Sequence, residues 1–249
     1  MYNLLSMKQR ESFKPTFENG GFWEYYKDLE RQFENYLEYV PYLVGNENTY
    51  SFRLANLLLS IGAHVDSAFK EIAKYKIRFG NNPEILSPRT KNGKLRKPTI
   101  KDYYPISEQY KLPEEVVTFK CLPDSEPYKP FYQYQRTPEE TYPDWWHSYN
   151  KVKHNFNQNF NEAKLKTTKD ALAGAFLLNV IHDPSADRLA RYKLLRAKYA
   201  PRGFEQRHDK FRGRSMQPVF VSDLSSVDGY IIETPIFKYD YEKVVWKKE

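Results

Sequence analysis

An apolar stripe with helical spacing is the feature that most constrains the fold of this chain. Its six residues recur at steps of three and four positions, as on one face of an α-helix: Leu54, Leu58, Ile61, Val65, Phe69 and Ile72. The stripe predicts a helix from about Thr49 to about Lys74, with Asn48 or Thr49 as its N-cap. Such a helix has about seven turns, which is long for a globular protein and favours a helical bundle.

Four other segments also have the spacing of helices. Each carries apolar or aromatic residues three and four positions apart, and prolines mark several of their ends. The predicted segments are 22–40, 143–154, 164–182 and a strongly basic one at Ser185–Tyr199.

The rest of the chain predicts irregular structure with a little sheet. Residues 78–140 hold nine of the 16 prolines and interrupt the helical spacing, so we interpret them as an irregular insertion. Short strands are expected there at Glu115–Leu122 and Phe131–Tyr134. Near the end of the chain, apolar and polar residues alternate as in strands: Pro218–Val221, Tyr230–Ile232 and Ile236–Trp246.

The expected organisation has three parts. A flexible lead-in over residues 1–20 precedes an up-down helical bundle over 21–200, and a basic loop with short strands occupies 201–249. The predicted fold class is therefore mainly α, with an irregular insertion and a small C-terminal β element.

Composition narrows the classes of function. The longest apolar runs are far shorter than the roughly 18–20 residues of a membrane span, and Met1–Arg10 lacks the pattern of a signal peptide. A single cysteine, Cys121, excludes an internal disulfide framework and a cysteine-rich metal site. We therefore expect a cytoplasmic protein without membrane association.

Charge and aromatic content favour a polyanionic partner. The chain carries a net charge of +7 and has 21 tyrosines. Cations attract phosphates and aromatic rings stack on bases, so this composition fits a nucleic acid. It fits a basic protein with a tyrosine-rich core equally well.

One helical segment, Trp145–His154, combines side chains that suit phosphate chemistry. Asn150 and His154 are four positions apart, and Lys151 is three positions before His154, so the three share a helix face. An amide, an ammonium and an imidazole on one surface can bind a phosphate and move a proton. The alternative is that this histidine is only a polar group satisfied in or near the core, and that the tryptophan pair is core.

Three parts of the sequence resemble the HEPN (higher eukaryotes and prokaryotes nucleotide-binding) domains, which are helical bundles of bacterial toxins and phage-defence proteins. They are the long helix from Phe52 to Lys70, the segment Trp145–His154, which reads WWHSYNKVKH, and the helix Leu172–Leu178 with its small residues. The segment with the tryptophan pair is the specific one, since the other two occur in many bundles.

The resemblance implies a homodimer in which two copies of a polar motif form a metal-independent ribonuclease site, with no cofactor. The family motif is an arginine, then four to six residues, then a histidine. His154 matches that histidine and Asn150 falls near the polar position, but Ser148 and Tyr149 stand where an arginine is expected. Lys151 or Lys153 can replace its charge, although lysine lacks the planar bidentate fork of arginine.

A basic run from Arg188 to Arg214 is a second candidate site. It contains seven arginines and three lysines against Glu205 and Asp209, which suits contact with the RNA backbone. The predicted nucleic-acid-binding residues are Arg188, Arg191, Arg196, Lys198 and Arg202. The alternative is a solvated helix face followed by an exposed loop.

Two functions remain open from the sequence. One is a metal-independent ribonuclease of a defence or toxin system, with His154 transferring the proton, Lys151 neutralising the phosphate and Asn150 orienting it. The other is a non-catalytic module that binds RNA or a nucleotide, or serves as a scaffold; the missing arginine motivates it. Beside these two, a structural or assembly protein whose tyrosine-rich strands form a subunit interface is the less specific alternative.

Overall fold

The computed structural model describes residues 21–78, 85, 87–90, 92–121, 127–135, 141–182, 195–197 and 229–242. The predicted lead-in, the predicted strand Pro218–Val221 and most of the predicted basic helix lie outside these residues. The α-helices are α1 (Gly21–Leu37), α2 (Phe52–Arg78), α3 (Tyr104–Gln109), α4 (Asp144–His154), α5 (Phe156–Asn159) and α6 (Leu165–His182). Two 3₁₀ turns cover Ile100–Tyr103 and Phe160–Glu162.

The long helix α2 packs against α1, α4 and α6. Its apolar stripe is buried along its length, from Leu54 to Ile72. Helix α6 is enclosed more completely, because every residue from Ala171 to Val180 is buried. A helix that is buried on all sides occupies the centre of a bundle.

Two glycines set the distance at which α4 lies from the centre of the bundle. A Cβ atom on Gly62 of α2 would lie 2.6 Å from Cγ of Tyr149, and one on Gly174 of α6 would lie 2.8 Å from Cζ2 of Trp145. These distances are shorter than van der Waals contact, so the rings of α4 occupy space that only glycine leaves free.

The four short strands form one antiparallel sheet in the order β1-β4-β3-β2. Its strands are β1 (Thr118–Phe119), β2 (Leu195–Ala197), β3 (Gly229–Glu233) and β4 (Phe237–Glu242). The predicted mainly α fold with a small β element is thus confirmed. Phe237 of β4 stacks on Phe176 of α6 with ring centroids 5.8 Å apart, which joins the sheet to the helical core.

The predicted N-cap of α2, Asn48 or Thr49, is wrong, because α2 begins at Phe52 and the Ser51 hydroxyl oxygen accepts the Leu54 N–H at 3.1 Å. Two predicted elements are also wrong. Leu195–Ala197 lies in strand β2 and not in the predicted basic helix, because it pairs with β3, with Arg196 opposite Ile231. Phe131–Tyr134 is a turn and not a strand, since the Tyr134 N–H donates to the Phe131 carbonyl at 2.8 Å. Its aromatic residues suit a strand by propensity, but here the rings of Phe131 and Tyr134 lie in the core beside Phe69 of α2, while Tyr132 is exposed.

Within the described ranges, no helix is both long and apolar enough to cross a lipid bilayer.

Candidate functional site on the exposed face of helix α4

The orientation of α4 follows from its buried side. Trp145, Trp146, Tyr149 and Val152 are all buried in the bundle. The Trp145 indole N–H donates to the Pro130 carbonyl at 2.8 Å, so its one polar group is satisfied there. The tryptophan pair therefore belongs to the core, as the simpler interpretation of the sequence expected.

The opposite side of α4 presents the predicted site residues to solvent. Lys151 and His154 are exposed and Asn150 is partly buried. Within the described part of the chain, the His154 imidazole has no hydrogen-bond or ion-pair partner. An exposed imidazole can contact a ligand. An imidazole enclosed by apolar neighbours cannot.

Lys151 is already paired with a carboxylate. Its ammonium lies 2.8 Å from Oε1 of Glu162 in the second 3₁₀ turn, and both side chains are partly exposed, at 42% for Lys151 and 32% for Glu162. A phosphate that binds Lys151 must therefore compete with Glu162. Exposed pairs of this kind contribute only about 0–1 kcal/mol to stability, so the competition is weak.

The site lies at the carboxyl end of its helix. The Lys151 carbonyl accepts the Asn155 N–H and the Asn159 side-chain amide, both at 3.1 Å, and α4 ends at His154. This end of a helix carries partial negative charge and does not attract an anion. Attraction for a phosphate must therefore come from side chains, and Lys151 supplies the positive charge among the predicted site residues.

Sequence reasoning left His147 out of the predicted site, because its side chain was expected to point elsewhere although it lies four positions before Lys151. It is exposed, and it precedes Lys151 by four and His154 by seven positions, so it lies on the same side of α4. The seven-residue spacing was the available signal. The exposed face of α4 is defined below as His147, Asn150, Lys151 and His154.

Only one residue of the predicted basic site lies in the described part of the chain. Arg196 lies in strand β2, opposite Ile231 of β3. The other four predicted nucleic-acid-binding residues, Arg188, Arg191, Lys198 and Arg202, lie outside the described residues.

A second histidine of the fold has a structural role. His64 is buried between the rings of Phe22 and Tyr25, and its Nε2 lies 2.7 Å from the Asn179 amide nitrogen.

Across the described ranges, no cluster of three or more histidine, cysteine, aspartate or glutamate residues can hold a metal ion.

Comparison with known proteins finds no matching family model, no matching curated protein and no matching solved structure.

Proposed function

We propose that this chain is a HEPN-like protein of a defence or toxin system that cleaves RNA without a metal ion, at the exposed face of α4. The observation that carries the proposal is the exposure of Lys151 and His154, together with Asn150, on a helix whose other side is buried. A histidine that served only the core would not be displayed in this way.

The chemistry needs only groups that this face supplies. The neutral His154 imidazole accepts the proton of a ribose 2′-hydroxyl, whose oxygen attacks the adjacent phosphorus. The bond from phosphorus to the 5′-oxygen breaks, this oxygen takes a proton from water and His154 returns its proton to solvent, which leaves a 2′,3′-cyclic phosphate and a 5′-hydroxyl. Lys151 neutralises the charge that develops on the phosphorane, and Asn150 donates hydrogen bonds to its oxygens.

The direct test is RNA cleavage in the presence of EDTA. We expect the wild-type chain to cleave a single-stranded RNA and His154→Ala to lose at least about 100-fold in rate, the usual contribution of a general base. Gln109→Ala, which changes an exposed side chain on α3, is the matched control and should cleave normally. Equal activity of the wild type and His154→Ala would remove the catalytic proposal.

A second candidate function is RNA binding without cleavage. The Lys151–Glu162 ion pair favours it, since Glu162 occupies the cation that catalysis requires. The absence of an arginine from helix α4 favours it as well. It predicts salt-sensitive binding without a product, weakened by substitution of Arg191 and Arg196. Binding that does not depend on salt would contradict it.

A further inference from the structure

An exposed group of stacked aromatic rings lies at the start of α2. The Phe52 ring stacks on Phe160, with centroids 4.5 Å apart and planes at 24°, and on Phe156 at 6.0 Å and 16°. Tyr50 contacts Phe160 edge-on at 5.7 Å. We call these four residues the aromatic stack.

The aromatic stack is open to solvent on one side. Phe52 is 59% exposed and Tyr50 is 51% exposed. Trp145, Phe69 and Phe176, by contrast, are buried. Rings of this size that remain on a surface as a contiguous group mark a binding site more often than isolated apolar residues do.

The aromatic stack adjoins the exposed face of α4. Phe156 and Phe160 belong to the short segment that follows α4 directly. In the same segment, Asn159 donates to the Lys151 carbonyl at 3.1 Å and Glu162 pairs with the Lys151 ammonium at 2.8 Å. A ligand seated on the rings is therefore held beside Lys151.

The surroundings of the aromatic stack are basic and rich in amides. Four exposed cations flank it in the sequence: Arg53, Lys153, Lys164 and Lys166. The acidic residues of the same segments are Glu47 and Glu162. Exposed amides stand between and beside the two phenylalanines: Asn155, Asn157, Gln158 and Asn161. Cations bind phosphates, and amides hydrogen-bond the edges of unpaired bases.

We propose that the aromatic stack binds unpaired bases of a single-stranded RNA and presents the adjoining phosphate to the exposed face of α4. The inference rests on the proposed function in that RNA is the ligand. A flat exposed ring accepts any base by stacking, while the bases inside a duplex are not available to it. A second copy of the chain is the poorer occupant, because a two-fold contact through this surface would bring like charges together.

The test measures binding and not cleavage, in a His154→Ala background with EDTA. The probes are an unstructured RNA, the same RNA as a duplex, and an abasic oligomer of equal length. We expect the single strand to bind most tightly, and Phe52→Ala to weaken its binding about tenfold, as loss of one stacked base does. Phe52→Trp should retain the binding.

Tyr39→Ala is the matched control, because Tyr39 is a 77% exposed ring outside the aromatic stack. It should bind RNA as the parent does. Unchanged affinity in Phe52→Ala, or equal binding of the abasic oligomer, would overturn the inference. A change in oligomeric state with no change in affinity would assign the rings to a contact between copies, and would also overturn it.

The failure of this inference can be told apart from failure of the proposed function. If RNA binding depends on the Phe52 ring but the wild-type chain does not cleave RNA, the aromatic stack is supported and the ribonuclease is refuted. Cleavage that persists while Phe52→Ala binds normally would support the ribonuclease and refute the stack.

Discussion

Glu30 of α1 is a buried carboxyl group that holds one turn of the sheet against the helices. It is 2% exposed, and its Oε1 accepts the Thr234 hydroxyl, the Tyr26 hydroxyl at 3.2 Å and the Ile236 N–H at 3.3 Å. Burial removes the hydration of the charged form and raises the pKa of Glu30 to about 7, against hydrogen bonds that lower it. Glu30 thus fastens the turn between β3 and β4 to the helical core.

The raised pKa of Glu30 predicts how the stability of the fold depends on pH. The pKa of Glu30 is about 7 in the fold and about 4.5 in the unfolded chain, so the folded state holds the proton more tightly. The stabilisation is complete below about pH 4.5 and is lost as the pH rises to about 7; it amounts to about 3 kcal/mol.

Urea denaturation at pH 5 and pH 8 measures this contribution. The wild type should lose stability over that interval relative to Glu30→Gln, whose amide keeps the acceptor oxygen and does not ionise. Parallel pH profiles for the two proteins would show that Glu30 does not titrate in this range.

Among the helices, the approach of α4 to α2 depends on Gly62. A Cβ there would lie 2.6 Å from Cγ of Tyr149, an atom near the backbone that cannot move unless α4 shifts. We expect Gly62→Ala to destabilise the fold by about 1–3 kcal/mol, the usual cost of overpacking a core. Thermal unfolding followed by circular dichroism measures the loss.

Two variants control this prediction. Gly45→Ala should be neutral, because nothing lies within 4 Å of a Cβ at that position. Tyr149→Ala should destabilise the Gly62→Ala protein less than it destabilises the wild type, since alanine lacks the Cγ atom that the added methyl group would meet. A Gly62→Ala protein as stable as the wild type would show that α4 packs differently.

For the molecule as a whole, net charge sets the attraction for a polyanion. The chain carries a net charge of +7. Glu162→Gln removes one negative charge, which raises the net charge by one, and it also frees Lys151 from its ion pair. We expect Glu162→Gln to bind RNA more tightly. The slope of log affinity against log salt should become steeper by about 1 in that variant and shallower by about 1 in Lys151→Ala.

RNA titrations between about 50 and 200 mM salt measure both slopes. Glu114→Gln, an exposed carboxylate elsewhere in the fold, controls for the change in net charge alone. If it tightens binding as much as Glu162→Gln does, the effect is general attraction and the Lys151–Glu162 pair has no special part in it.

Helices with a clear apolar repeat were predictable from the sequence. The stripe from Leu54 to Ile72 specifies which side of α2 must be buried, and the aromatic residues of α4 specify the opposite side as the exposed one. Face assignment is local, because it depends only on the angle between successive residues of a helix. For that reason the spacing of Asn150, Lys151 and His154 is enough to group them on one face.

Pairings between distant parts of the chain were not predictable in this way. Leu195–Ala197 belongs to the basic segment Ser185–Tyr199 that was predicted as a helix, yet pairing with β3 makes it a strand. Lys169 lies over the rings of Tyr42, Phe119 and Tyr128 at 5.0, 5.4 and 4.3 Å, which no spacing in the sequence indicates. Such contacts depend on where the bundle places segments far apart in the chain.

The order of residues along the chain is enough to specify the helical bundle, the buried side of each long helix and the polar residues displayed together on α4. Periodicity carries that information, since burial of an apolar face is the main favourable term in folding. Three-dimensional packing adds that Glu162 pairs with Lys151, that Phe52 stacks on Phe156 and Phe160, and that Glu30 is sealed beneath the sheet. These contacts join elements that are far apart in the sequence. The whole fold sets the distances between such elements, so the contacts leave no periodic pattern in the sequence.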